Sequence, residues 1–266
     1  MSAAARIGQG REAEILEAGE GRALRLLWDP EGEPWLDREE AALRAASAAG
    51  APVPAVYERT TVDGRPGLVM ERLDGPDLLT RIGRRPWTLV AAGRVLGRLH
   101  ASLHRVPAPA ELPDLKDVVR LLLERGADRV PSGLSAEAHE RLAELPDGDR
   151  ICHGDYHPAN VLLGAAGPRV IDWASASRGD PSADVCRTCL IVELGVLPAQ
   201  APALVRRLDR VGRSLLLRSY LRAYGRLDRD RVDRWRRVLT IARLAEDVEA
   251  ERPALLGLLG AADRSS

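Results

Sequence analysis

The spacing of apolar and polar positions changes period along this chain, and the changes outline two parts. Short alternating runs at 13–17 and 23–28, separated by Gly19-Glu20-Gly21, read as paired strands. Ile7-Gly8-Gln9-Gly10 ahead of them reads as a glycine-bearing turn. Over 35–49 the period becomes helical, with Leu36, Leu43 and Ala46 on one stripe, and Gly50-Ala51-Pro52 ends it. Runs at 56–60 and 67–71 then flank Asp63-Gly64, a hairpin signal.

Beyond Asp74-Gly75-Pro76 the texture turns helical. The segment 89–104 carries Val90, Val95, Leu96, Leu99 and Leu103; 117–124 is shorter, and 135–144 is entered at Ser135 as N-cap. A β island follows between 150 and 173, with 160–163 and 169–172 around the turn 164–167. From Ala183 on the pattern is helical again, and 203–220 and 232–250 are the long pieces. The expectation is an α+β chain: a small β-rich lobe over 1–73, a connector near 71–76, and a larger, mainly helical lobe over 74–266. A cleft between two lobes is a usual place for a small-molecule site.

Composition adds three points. Lys+Arg and Asp+Glu are equal at 39 each in 266 residues, so no global charge points to nucleic acid or an anionic membrane. No run approaches the length of a membrane span, and residues 1–10 carry no apolar signal-peptide core. Three cysteines make no disulfide framework, so the expected location is a reducing cytoplasm. The chain has no Phe, one lysine (Lys116) and one asparagine (Asn160), a skew that fits a GC-rich genome. A lone asparagine at a chemically meaningful spacing therefore carries weight.

That spacing occurs in His153-Gly154-Asp155-Tyr156-His157-Pro158-Ala159-Asn160, followed by Ile171-Asp172-Trp173. A strand–turn–strand unit from Asn160 to Asp172 brings an amide oxygen and a carboxylate side by side. Hard oxygen donors, few in number, suit Mg²⁺, which keeps most of its waters. Asp155, five residues before Asn160, is placed to accept a proton from a substrate hydroxyl. A base Asp, an Asn after four intervening residues and a second Asp on the metal are the working parts of phosphoryl transfer in kinases.

With these residues the chain resembles the aminoglycoside phosphotransferase family, small-molecule relatives of protein kinases. The resemblance implies a bilobal protein-kinase-like fold and transfer of the γ-phosphate of ATP or GTP, with Mg²⁺, to a small-molecule hydroxyl. It implies Asp155 as catalytic base and Asn160 and Asp172 as metal ligands. The turn with Gly8 and Gly10 is similar to the family's phosphate-covering loop, whose N–H groups face phosphate oxygens. Ala23-Leu24-Arg25 stands where the kinase pattern has Ala-x-Lys, so Ala23 would meet adenine and Arg25 the phosphates. Arg and Lys are not interchangeable there: either Arg25 does the work of the lysine or nucleotide binding is weakened. Glu39 and Glu40 are the candidate ion-pair partners, Glu39 the preferred one. The segment with Met70, Glu71 and Leu73 resembles the hinge that contacts the nucleobase.

Asp184, near a helix start after Gly179-Asp180-Pro181, reads either as an anchor for the backbone of the catalytic loop or as an ordinary helix cap. Cys186 and Cys189 read as buried thiols on an apolar helix, and His100 and His104 as helix-surface residues. A cationic acceptor would need carboxylates. Asp228, Asp230 and Asp233, then Glu246, Asp247, Glu249 and Glu251 offer two clusters, each otherwise a solvated helix face. The rival readings are a kinase-like protein that binds nucleotide or metabolite without transfer, and a protein kinase. The second is disfavoured by Asp172-Trp173 in place of Asp-Phe-Gly.

Overall fold

The computed structural model describes residues 5–10, 12–195 and 203–262. In the first part, β1 (Arg6–Gln9), β2 (Ala13–Glu17), β3 (Arg22–Leu27), β4 (Val56–Val62) and β5 (Arg65–Glu71) form one antiparallel sheet in the order β1-β2-β3-β5-β4. Strand alternation splits the side chains of β3 between two faces. Leu24 and Leu26 pack with Val69 on one face, while Leu27 joins Leu36, Leu43 and Leu68 beneath α1 (Glu33–Ala48). Asp63 and Gly64 both have positive φ (51° and 76°), as a two-residue hairpin turn requires. One expectation changes here. Residues 6–9 are a strand, Gly8 paired with Ile15, and the turn starts only at Gly10, whose N–H donates to the Ala13 carbonyl at 2.8 Å.

The second part holds α2 (Leu78–Arg84), α3 (Leu89–Leu103), α4 (Leu115–Arg125), α5 (Ser132–Glu144), α6 (Pro181–Leu194), α7 (Ala203–Tyr224), α8 (Arg229–Ala245) and α9 (Arg252–Ala262). Two small ribbons sit among them: β6 (Arg150–Cys152) with β9 (Ser177–Gly179), and β7 (Val161–Gly164) with β8 (Gly167–Val170). No helix among the described residues is long and apolar enough to cross a membrane. Ser135 is not a cap: α5 starts at Ser132 with Pro131 at the N-cap, where the ring holds φ at −50° and primes the turn. The last long helix stops at Ala245 rather than continuing to 250, because Asp247 turns left-handed (φ 57°).

The two parts are tied at the β7–β8 ribbon. Leu163 N–H donates to Pro76 O in the connector at 3.0 Å, and Val170 N–H donates to Pro52 O behind α1 at 2.8 Å. Trp173, Trp235, Tyr156 and Tyr220 are fully buried, and each indole or phenol finds a polar partner: Trp173 Nε1 reaches Val170 O (3.1 Å), Trp235 Nε1 reaches Asp180 (3.0 Å) and Tyr156 Oη reaches Leu96 O (2.9 Å). Tyr220 Oη lies 2.7 Å from the His100 ring.

α3 and α7 meet backbone to backbone at Gly93 and Gly97. A Cβ at Gly97 would overlap the Tyr220 carbonyl oxygen. Gly97→Ala is therefore expected to lower unfolding free energy by roughly 1–3 kcal/mol, as overpacking does. Gly83→Ala on α2, where a Cβ meets nothing within 4 Å, is expected to leave stability near the parent's. Denaturant titration of the two variants side by side checks this.

Candidate active site

The loop between β6 and β7 sets the site. Residues Pro158–Asn160 form a single 3₁₀ turn, and His157 caps it by accepting from Ala159 N–H at 3.2 Å. Asn160 is held at both ends: its carbonyl accepts from Ile171 N–H (3.0 Å), and its Nδ2 donates to the Asp155 carbonyl (2.8 Å). Its Oδ1 has no hydrogen-bond partner among the described residues. Asp155 is half-exposed, with His157 Nε2 at 3.5 Å from Oδ2. Burial pushes the Asp155 carboxyl up. The His157 hydrogen bond and the charges of His157, Arg187 and His153 outweigh it, so the carboxyl sits at about 2.

Asp172 follows β8 in a left-handed conformation (φ 65°), a region Asp enters more readily than most residues. It keeps 45 % of its side chain exposed and lies 3.7 Å from Arg25 Nη2. Arg25, only 11 % exposed, donates Nε–H to Glu39 Oε2 at 2.7 Å, and its Nη2 lies 3.9 Å from Glu12. Burial opposes the Arg25 charge, but Glu39 and Asp172 hold the guanidinium protonated. Glu40 points elsewhere, to Arg44 and Arg59. Of the two candidate glutamates, the fold pairs Glu39 with Arg25, because α1 turns that face onto β3.

The other predicted positions surround this centre. Ala23, buried, stands opposite Met70 on β5. Glu71 N–H donates to Ala55 O (2.8 Å) and Arg72 N–H to Gly21 O (2.9 Å), whereas the Leu73 backbone makes no backbone hydrogen bond among the described residues. A cleft of about 950 Å³ runs from Gly10 and Arg25 past Asp155 and Asp172 to Arg129 and Val248. Neither Gly8 nor the 70–73 segment lines it.

Behind the loop stands Asp184. Its Oδ2 accepts from His153 N–H (2.6 Å) and its Oδ1 from Gly154 N–H (3.0 Å), so it anchors the backbone of the β6–β7 loop. Asp180 is the helix cap of α6, accepting from Ser182 N–H at 2.9 Å. His100 and His104 are not surface residues. Both are buried, because the Gly93–Gly97 face of α3 turns them inward, and their Nε2 atoms lie 3.0 and 3.1 Å from Asp184 Oδ2. Their Nδ1 atoms meet Tyr220 and Tyr224 hydroxyls at 2.7 and 2.8 Å. Each ring nitrogen is thereby satisfied, which explains three converging ligand-like groups without a metal. Burial and the neighbouring His104 push the His100 ring down to about 3 despite Asp184. Burial raises the thiols of Cys152, Cys186 and Cys189, the last to about 12, so these free thiols are inert.

Residues 15–235 match the model of the phosphotransferase enzyme family, APH. The chain belongs to this family. It is 30% identical over 189 residues to streptomycin 6-kinase of Streptomyces griseus, covering 68% of this chain and 56% of that protein. The chain thus spans about half the length of the curated relatives it matches. Among solved structures, a thermostable mutant of aminoglycoside phosphotransferase APH(4)-Ia superposes with a TM-score of 0.65 at 18% identity, covering 99% of this chain and 94% of that one. The amicoumacin kinase hAmiN, solved with AMP-PNP, Ca²⁺ and Ami, gives 0.65 at 14%, covering 97% and 85%. These likenesses establish the protein-kinase-like fold.

On this phosphotransferase-family scaffold, the two carboxylate clusters prove to be differently placed. Asp228 caps α8, accepting from Arg231 N–H at 3.1 Å, and Asp230 and Asp233 are exposed. Glu246 lines the cleft, held by Arg187 Nη1 at 2.6 Å and by Arg243. Asp247 lies 3.6 Å from Arg129, Glu251 is buried on Arg243 at 2.7 Å, and Glu249 is exposed. Sequence reasoning missed Arg187, whose Nε also donates to Gly154 O. Its spacing of three residues from Asp184, on one helix face, was the available signal.

Because His100 stays neutral in the fold but has an ordinary value near 6.5 when unfolded, the unfolded chain binds the extra proton first. Its contribution is complete above pH 6.5 and is lost as pH falls toward 3, at about 1.4 kcal/mol per pH unit. His153, also pushed down by burial, adds to the same slope. His100→Gln is expected to be less stable at pH 7 and to lose stability less steeply on acidification, as read by urea unfolding at several pH values.

Proposed function

We propose that this chain transfers the γ-phosphate of a nucleoside triphosphate, ATP or GTP, to a hydroxyl of a small molecule. The observation that carries the reading is the convergence of Asp155, Asp172 and Arg25 on one cleft, with Arg25 held from behind by Glu39 and Asn160 braced against Asp155. In this reading the lobe 1–73 holds the nucleotide and the lobe 74–266 holds the acceptor. Ala23 and Met70 flank the base, which meets the backbone near Glu71 at Leu73. The turn that starts at Gly10, after the strand carrying Gly8, covers the phosphates.

Asn160 Oδ1, free of other bonds, and the exposed Asp172 carboxylate are hard oxygen donors that fit Mg²⁺. Bound there, the ion would neutralise charge on the phosphate oxygens. The chain's own groups do the rest. Asp155, ionised at neutral pH, accepts the hydrogen bond of the acceptor hydroxyl and takes its proton as the new O–P bond forms and the bond from the γ-phosphorus to the bridging oxygen breaks, releasing nucleoside diphosphate. His157 and the Asn160 amide fix its orientation. Arg25 holds positive charge where the phosphates lie, and Glu39 fixes its fork. Positioning and charge stabilisation supply most of the acceleration. A nucleotide co-substrate and free thiols fit a cytoplasmic location.

Asp155→Asn keeps the shape and removes the proton acceptor. We expect kcat to fall by ~10²–10⁴ while nucleotide affinity changes little. Near-normal turnover in that variant would reduce Asp155 to a loop cap. Since its carboxyl titrates at about 2, the parent's kcat/KM is expected to show no acid limb from this group between pH 5 and 8.

Arg25→Ala is expected to weaken nucleotide binding with the fold intact, as read by calorimetry with the Mg²⁺ nucleotide. Arg25→Lys separates two cases: retained turnover means a point charge suffices, and lost turnover with intact folding means the pocket is built around a guanidinium. A chain that binds nucleotide but transfers no phosphate to any hydroxyl compound would favour the binding-protein reading.

A further inference from the structure

The arm of the cleft beyond Asp155 has an unusual lining for a site that would take a polycation. α4 presents two faces. Leu115, Val119 and Leu123 are buried in the helical core, and Gly126, just past the helix end, packs against Ala245. Val118, Leu121, Leu122 and Arg125, spaced i, i+3, i+4, i+7, line the cleft beside Leu115 and Val119. Leu121 is 45 % exposed, an apolar side chain left uncovered by the fold. Ile191 and Val248 contribute to the same lining.

The charges at this end are unequal in their commitments. Glu246, the one carboxylate on this wall among the described residues, is clamped between Arg187 and Arg243, and Arg243 is shared with Glu251. Arg129 lies within 3.6 Å of Asp247. Arg125, by contrast, has no hydrogen-bond or ion-pair partner among the described residues. Arg38, across the cleft on α1, donates only to Ala174 O at 3.4 Å and leaves a buried Nε without a partner. On this wall Glu246 and Asp247 each hold a guanidinium, while the Arg125 guanidinium holds no carboxylate among the described residues. A polycationic acceptor would meet a Glu246 already clamped in this arm, whereas a carboxylate entering it meets the free fork-shaped donors of Arg125. An apolar body would cover the α4 stripe, at about 25 cal/mol per Å² removed from water.

We infer that the acceptor is a hydroxylated, largely apolar organic acid, its carboxylate held by Arg125 and its apolar body lying on Val118, Leu121 and Leu122. This specificity rests on the phosphotransferase reading for the role of the hydroxyl, which faces Asp155, but the binding it describes is measurable without turnover.

The test is calorimetric titration of the full chain, with Mg²⁺ and ADP present, using 3-hydroxyoctanoate, its methyl ester and streptomycin as probes. The acid is expected to bind, the ester about tenfold more weakly and streptomycin more weakly still. Arg125→Glu should weaken the acid about tenfold or more and Arg125→Lys should restore part of it, and neither should alter ADP binding. Arg125 is exposed at the helix end, so both variants are expected to fold. Streptomycin binding more tightly than the acid, no binding of the acid, or an Arg125→Glu variant that binds the acid like the parent would each overturn the inference. Failure of Mg²⁺-ADP to bind, with the acid still bound, would instead sink the phosphotransferase reading, and with it the acceptor role of the hydroxyl, and leave the acid-binding site standing.

Discussion

The loop that carries Asp155 depends on one buried carboxylate. Asp184 receives two backbone N–H groups of the loop and two imidazole N–H groups, one from α3 and one from the residue that follows it, all within 3.1 Å. A charge without solvent persists only when its hydrogen-bonding capacity is met, and here the imidazoles are in turn fixed by two phenols of α7. The chain of contacts therefore runs from α7 through α3 to the backbone beside Asp155. Removing any member leaves a buried polar group unmet, so the position of the loop is inseparable from the packing of the helical part.

Much of this was legible in the sequence, and the reasons it was so are physical. Strand and helix periods mark β2, β3, β5 and α3 because each has one buried face. Asp63-Gly64 marks its hairpin because few residue pairs accept two positive φ values. Asp155, Asn160 and Asp172 stand out because an adjacent loop and hairpin fix their spacing, so the site is local in sequence. Boundaries were less legible. The end of α8 depends on one left-handed residue, and the start of α5 on a proline acting as N-cap rather than on the serine that usually does.

Long-range partners were the least legible. His100 and His104 looked like surface residues since nothing local shows that two tyrosines some 120 positions later would cover them. The commitment of Glu246 to Arg187 and Arg243 is likewise invisible in composition, because in a chain with 39 acidic and 39 basic residues any carboxylate has many available partners. Such pairing is decided by packing geometry, and it determines which charges remain free to meet a ligand. The exposed acidic run at 228–233 and the clamped Glu246 differ in this respect although the sequence presents them alike.

The Arg25–Glu39 pair has a consequence for chemical labelling. The chain's single lysine, Lys116, lies outside the cleft lining, donating to Leu145 O at 2.7 Å and to Asp147 at 2.9 Å. No lysine amine lines the described cleft. Electrophilic nucleotide analogues that acylate or sulfonylate a lysine beside the phosphates would find no such amine there, and surveys that detect kinases by that reaction would pass this protein by. Dicarbonyl reagents selective for guanidinium groups would be the matching chemistry, with Arg25 shielded by Glu39 and by any bound nucleotide.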